Sequence, residues 1–136
     1  KMNLAALDWT LAALLDGRAR KDLPTLRQLL EAPDQLEGRA RGLAQRLKSQ
    51  LDDSVVIAVE KDRNQVGGGS LPAYFLETWV VSLSGATGAH NRIASLRRGT
   101  RPVIARVRDD TVLLDLRTLE ENEMDVLEAM VVAAFR

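Results

Sequence analysis

Pro102-Val103-Ile104-Ala105-Arg106-Val107, Arg108-Asp109-Asp110 and Thr111-Val112-Leu113-Leu114-Asp115-Leu116 follow one another without a break. The first and third runs are rich in β-branched and apolar residues and the second is short and polar. The stretch therefore reads as two strands joined by a tight antiparallel connection. Side chains alternate across a strand, so Val103, Ala105 and Val107 share one face while Ile104, Arg106 and Arg108 share the other. In the returning strand Val112, Leu114 and Leu116 oppose Leu113, Asp115 and Arg117. One face is apolar throughout and must be covered, which calls for helices on that side of a sheet.

Upstream of the hairpin, Thr78 to Leu83 and the β-branched run Val55-Val56-Ile57-Ala58-Val59 supply two more strands. Gly67-Gly68-Gly69-Ser70-Leu71-Pro72 reads as a loop between them, and Gly85 to Gly88 as a turn. Ile93 and Leu96 belong to a short helix ending at Arg98-Gly99. Past the hairpin, Thr118 and Glu121 have capping-box spacing ahead of a helix carrying Met124, Leu127, Met130, Val131 and Ala134. Before Val55 everything is helical. Leu4, Leu7, Leu11, Leu14 and Leu15 predict a helix over 3–16 that stops at Asp16-Gly17. Asp22-Leu23-Pro24 opens a shorter one through Leu29-Leu30, limited by Pro33. Asp34 with Glu37 resembles a capping box for a third, striped by Leu36, Ala40, Leu43 and Leu47. The order αααββαββα gives an α/β chain of the two-layer α+β kind: a small antiparallel or mixed sheet of about four strands with helices on one face. No internal repeat or linker interrupts it, so residues 1–136 are expected to form a single small domain.

Composition narrows function. The 136 residues carry 19 basic and 19 acidic side chains, so no net field is available to hold a phosphate backbone, and direct nucleic-acid binding is not expected. Without cysteine there is no disulfide, thiolate metal site or cysteine nucleophile. No apolar run is long enough to span a bilayer and no signal peptide opens the chain, so a cytoplasmic protein without membrane contact is expected. A start at Lys1 directly ahead of a helix suits a fragment of something longer.

Few residues invite chemistry. Gly67, Gly68, Gly69 and Ser70 are either a loop brought close to a cofactor or neighbouring domain, or a flexible connection; Leu71-Pro72 replaces the Lys-Ser/Thr of a phosphate-binding loop. His90 is the single histidine. It has no partner at metal-ligand spacing, so it reads as a surface residue and no metal site is expected. Asp62, Asp109, Asp110, Glu120, Glu121 and Glu123 read mostly as caps or solvated charges. Arg106 and Arg117 stand on or beside strands, where a planar guanidinium can grip an anion in two places or pair with Asp115. Trp9 and Trp79 sit within apolar patterns, as core or interface residues do.

Four segments resemble the C-terminal part of selenocysteine synthases, in the family's order and approximate spacing. They are Lys1-Met2-Asn3-Leu4-Ala5-Ala6-Leu7; Leu23-Pro24-Thr25-Leu26-Arg27; Val66-Gly67-Gly68-Gly69-Ser70-Leu71-Pro72; and Pro102 to Val107 with Leu113-Leu114-Asp115-Leu116-Arg117-Thr118. Leu76-Glu77-Thr78-Trp79 and Asp109-Asp110 depart from the family pattern in local loop sequence. The resemblance implies a fold-type-I pyridoxal-phosphate enzyme that converts seryl-tRNA(Sec) to selenocysteinyl-tRNA(Sec) with selenophosphate. In such an enzyme the present chain would be the small C-terminal domain.

The family's Schiff-base lysine lies in the large domain, and Lys1 is not that residue. No catalytic residue is therefore expected here, and the chain alone is expected to be inactive. What the resemblance leaves to it is a wall of the active site. The loop Gly67 to Ser70 would approach the mouth, Arg106 or Arg117 would meet an anionic group, and a homo-oligomer contact would complete the assembly. Two other readings stay open at this point: a domain of a related lyase or aldolase acting on a small amino acid, and a stand-alone protein-interaction module.

Overall fold

The computed structural model describes residues 1–66, 71–85 and 88–136, with backbone alone for 71–73. The chain divides into two compact units, Lys1–Ala32 and Pro33–Arg136. The first unit is helical. α1 (Met2–Leu15) ends where Gly17 takes φ +71°: the Gly17 N–H donates to the Leu14 carbonyl (3.2 Å) and the Arg18 N–H to that of Ala13 (3.1 Å). This reciprocal pair satisfies carbonyls that the last helical turn leaves open. A one-turn α2 (Ala19–Asp22), absent from the sequence expectation, precedes α3 (Pro24–Leu30). Arg18 braces this corner through Asp16 (3.2 Å) and Asp22 (2.8 Å), and its guanidinium lies 5.4 Å from the Trp9 ring centroid.

The second unit is a two-layer α+β fold. α4 (Pro33–Lys48) starts one residue before the anticipated cap, with Asp34 inside its first turn. Proline suits a first helical position because its missing N–H would have had no partner there. β1 (Val56–Val66) and β2 (Leu71–Ser84) are paired antiparallel from Val56↔Ser84 to Gln65↔Phe75, with an irregularity at Gln65/Val66. Both strands run further than their apolar cores, so Leu71 and Pro72, read as loop, are strand backbone. Gly67, Gly68, Gly69 and Ser70 lie outside the described residues, as do Ala86 and Thr87 of the Gly85–Gly88 turn.

After α5 (Ala89–Arg98), β3 covers only Arg106–Arg108 and pairs with β4 (Thr111–Asp115), giving an antiparallel sheet of order β1-β2-β4-β3. The expected strand over 102–107 is shortened because the Val103 N–H donates to the Leu96 carbonyl at 3.0 Å, tying that segment to α5 instead of β4. The turn holds both central residues at positive φ, Asp109 at 49° and Asp110 at 55°, the geometry of a two-residue type I′ connection. Asp110 accepts from the Ala89 N–H (2.8 Å), so the hairpin tip also caps α5. The box expected at Thr118 and Glu121 closes two residues later: the Leu119 N–H bonds to Leu116 (3.1 Å) in a turn, and Glu123 accepts from the Glu120 N–H (2.9 Å). A 3-10 turn (Glu121–Glu123) then leads into α6 (Met124–Phe135).

The anticipated alternation is realised. Ile57, Val81, Leu83, Val112 and Leu114 share one sheet face and form one core with Leu43 and Leu47 of α4, Ile93 and Leu96 of α5, and Leu127 and Val131 of α6. All three helices of this unit thus contribute to a single apolar layer, which leaves the opposite sheet face to polar chemistry.

Candidate functional site on the open sheet face

On that opposite face stand Glu60, Asp62 and Asn64 of β1, Thr78, Val80 and Ser82 of β2, Leu113 and Asp115 of β4, and Arg106 and Arg108 of β3. β1 and β3 are the two edges of the sheet. Three strand spacings separate them, roughly 14 Å in a flat sheet. Yet Arg106 Nη2 and Arg108 Nη1 each reach an Asp62 oxygen at 2.9 Å. The sheet must therefore curl, with this face concave and its two edges clasped by ion pairs. Beneath the clasp, Val80 and Leu113 are buried although they belong to no helix-covered core.

Asp62 is the hub of the clasp, with a side chain only 10% exposed. Burial, the strongest influence, pushes its carboxyl up. The Arg63 N–H, the Arg108 hydrogen bond and the charges of Arg106 and Arg108 outweigh burial and hold it below its ordinary value of 3.8. Reading Asp62 as a solvated loop carboxylate is thus overturned: β1 continues through it, and its alternation with Glu60 and Asn64 places it inward.

A second carboxylate, Asp115, accepts from Asn64 Nδ2 (2.9 Å), Thr78 Oγ1 (3.1 Å) and the Arg117 N–H (3.0 Å), with Arg106 Nη2 at 3.7 Å. It is here that the two arginines singled out in the sequence come together, by different atoms. The Arg106 side chain is 42% exposed, whereas Arg117 is buried and donates through Nη2 to the Glu77 carbonyl (2.6 Å), fastening the β2 backbone. Sequence reasoning named Arg106, Arg117 and Asp115 but missed Asn64 and Thr78. The signal was period-two alternation, which puts Asn64 on the face of Asp62 and Thr78 on the face of Val80.

The remaining candidates lie apart. His90 is exposed at the start of α5. Trp79 is half-buried against the core, flanked by Arg41 (5.9 Å) and Lys61 (5.4 Å) over its ring. Among the described residues no group of side chains is placed to hold a metal ion, and no helix is long and apolar enough to cross a membrane. A cavity of about 370 Å³ lies between the start of α4, with Asp34 and Glu37, and the strand positions Lys61, Arg63, Glu77 and Trp79. A second groove, about 480 Å³, lies between Val103, Ile104, Leu114 and Val126.

The family model for L-seryl-tRNA selenium transferase matches residues 1–120. The chain belongs to that family. It is 41% identical over 136 residues to the L-seryl-tRNA(Sec) selenium transferase of Moorella thermoacetica, covering 98% of this chain and 29% of the relative. The protein of the same name from Alkaliphilus metalliredigens is 38% identical (96% and 28%), and that of Nitratidesulfovibrio vulgaris 40% identical (90% and 27%). The chain thus spans less than a third of the length of these selenium transferases. Pyridoxal phosphate, which the resemblance implies, does not fit the cavity beside Lys61: Asp34, Glu37, Asp62 and Glu77 outnumber Lys61 and Arg63 in its lining and would repel a phosphate.

Proposed function

We propose that this chain is the small C-terminal domain of an L-seryl-tRNA(Sec) selenium transferase. The complete protein would convert seryl-tRNA(Sec) to selenocysteinyl-tRNA(Sec), using selenophosphate as selenium donor and pyridoxal phosphate as cofactor. The observation that carries this reading is the family match over residues 1–120 in a chain less than a third as long as its relatives. Pyridoxal phosphate supplies the electron sink for chemistry at the amino acid, and the protein supplies position and charge. The anchoring lysine belongs to the rest of the polypeptide, and residues 1–136 alone are inactive. The complete protein works as a cytoplasmic homo-oligomer.

Within that assembly the clasped sheet face and the loop Gly67 to Ser70 form a wall beside the active site. Arg106, with its partly exposed guanidinium, meets an anionic group of the substrates, while Arg117 acts by holding Glu77 and Asp115 in place. Steady-state kinetics of the complete protein test the assignment. Arg106→Ala is expected to lower kcat/KM by about tenfold, the worth of one charge-assisted contact of about 1.4 kcal/mol. Unchanged turnover in both Arg106→Ala and Arg117→Ala removes the arginines from the site.

A further inference from the structure

The unit Pro33–Arg136 carries fourteen basic and fifteen acidic side chains, but they are not mixed evenly along it. Between Glu77 and Asp109 stand six arginines and no carboxylate, which leaves eight basic against fifteen acidic residues in the rest of the unit. A balanced total therefore hides a one-sided distribution. Three of the six arginines serve the fold. Arg92 donates to the Ala134 carbonyl (2.5 Å) and lies 5.1 Å from the Phe135 ring centroid, and Arg106 and Arg108 close the clasp on Asp62. The other three, Arg97, Arg98 and Arg101, are exposed where α5 ends and the chain turns toward β3. Among the described residues no carboxylate pairs with any of them.

Part of this charge suits the helix itself. Arg97 and Arg98 sit in the last turn of α5, where cations complement the carbonyl end, and Arg98 Nε donates to the Ala94 carbonyl at 3.2 Å. The helix end does not account for Arg101, which lies beyond it, nor for the lack of any carboxylate across 78–108. Arg98 borders a groove of about 440 Å³ beside Met130, whereas Arg101 borders the one beside Ile104. One small anion held in a pocket does not match that spread. The chain from Arg97 to Arg101 covers at most about 14 Å, and a nucleic-acid strand carries a charge about every 3.4 Å of its axis, so one strand presents several phosphates within reach.

We propose that Arg97, Arg98 and Arg101 form a phosphate-backbone contact for the tRNA substrate of the complete transferase. The inference rests on the proposed function, because the relatives are named for L-seryl-tRNA(Sec). It adds where on this chain that RNA is met. Guanidinium groups grip phosphate oxygens in pairs, and such contacts need no base sequence. Three of them add to a tRNA site without making one, so residues 1–136 by themselves are not expected to hold RNA.

The test uses the complete polypeptide with Arg97→Gln, Arg98→Gln and Arg101→Gln combined, beside a second variant with Arg97→Lys, Arg98→Lys and Arg101→Lys. Filter binding of a tRNA(Sec) transcript between about 50 and 200 mM salt gives the slope of log K against log salt. Each lost phosphate contact removes about 0.7–0.9 from that slope. The glutamine variant is expected to lose about 2–3 in all, so that its affinity deficit shrinks roughly 20–40-fold across this salt range. The lysine variant keeps the parent's slope, since an ammonium also binds phosphate. A glutamine variant within about 0.5 of the parent's slope overturns the proposal. So does weakened binding that accompanies dissociation into smaller species in sedimentation, which would assign the corner to a protein neighbour. Should the triple glutamine variant fail to fold, Arg101→Gln alone, outside every helix, is expected to lower the slope by about 0.7–0.9, and an unchanged slope there sinks the proposal equally. If the parent binds tRNA(Sec) and the variants match it, only the corner falls. A parent that does not bind tRNA(Sec) defeats the proposed function and the corner with it.

Discussion

Replacing Asp62 by Asn removes the charge at the centre of the clasp while keeping the side chain's shape. Asp62 receives two guanidinium contacts at 2.9 Å and is 10% exposed, whereas Arg106 and Arg108 are 42% and 46% exposed. A hydrogen bond to a charged group contributes about 1.5–3 kcal/mol when shielded, and an exposed pair less than about 1. With one partner shielded and the other half in water, about 1 kcal/mol per contact is reasonable, so Asp62→Asn should destabilise the fold by about 2 kcal/mol. At roughly 4 °C per kcal/mol for a unit of this size, Tm falls by about 8 °C.

The sign of the pH dependence follows from the depressed carboxyl of Asp62. Its stabilisation is complete above the unfolded carboxyl's ordinary value, near 3.8, and is lost as pH falls through the lower folded value. The gap between the parent chain and Asp62→Asn should therefore be constant from pH 7 to about 5 and close below about 4. Urea unfolding followed by circular dichroism at several pH values measures it. A loss under about 0.5 kcal/mol, or a gap that persists at pH 2, refutes the clasp as a source of stability.

Asp109→Gly should raise Tm by a few degrees, because φ 49° suits glycine; calorimetry showing a decrease would point to an unseen role for that carboxylate. Asp110→Ala leaves the Ala89 N–H without its 2.8 Å acceptor and should cost about 1 kcal/mol in urea unfolding, with amide exchange quickened at the start of α5. Leu47→Ala, at a fully buried position where α4 meets the sheet, should cost about 2–5 kcal/mol by the same unfolding assay.

Much of this was legible because the apolar residues carry the period of their element. Ile57, Val81, Leu83, Val112 and Leu114 announce a sheet with one covered face, and Leu43 and Leu47 the helix that helps cover it. What escaped was decided by partners distant in sequence. Lys61 to Gln65 are poor strand formers by composition and extend β1 because β2 lies alongside, pairing Lys61 with Trp79 and Gln65 with Phe75. Pro102 to Ala105 have strand composition yet leave the sheet, held by the Leu96 carbonyl. The site was half visible. Arg106 and Asp115 could be named from alternation, but that Asp62 closes over them depends on the curl of the sheet, which no local pattern encodes.

Selenium transfer itself is the most direct measurement. The complete polypeptide, loaded with pyridoxal phosphate, is given seryl-tRNA(Sec) and radiolabelled selenophosphate beside a matched sample of residues 1–136. The expected result is label on the aminoacyl-tRNA with the complete protein and none with residues 1–136 alone. Label transferred by the short chain, or a complete protein that leaves seryl-tRNA(Sec) untouched while cleaving a free small amino acid, would contradict the assignment.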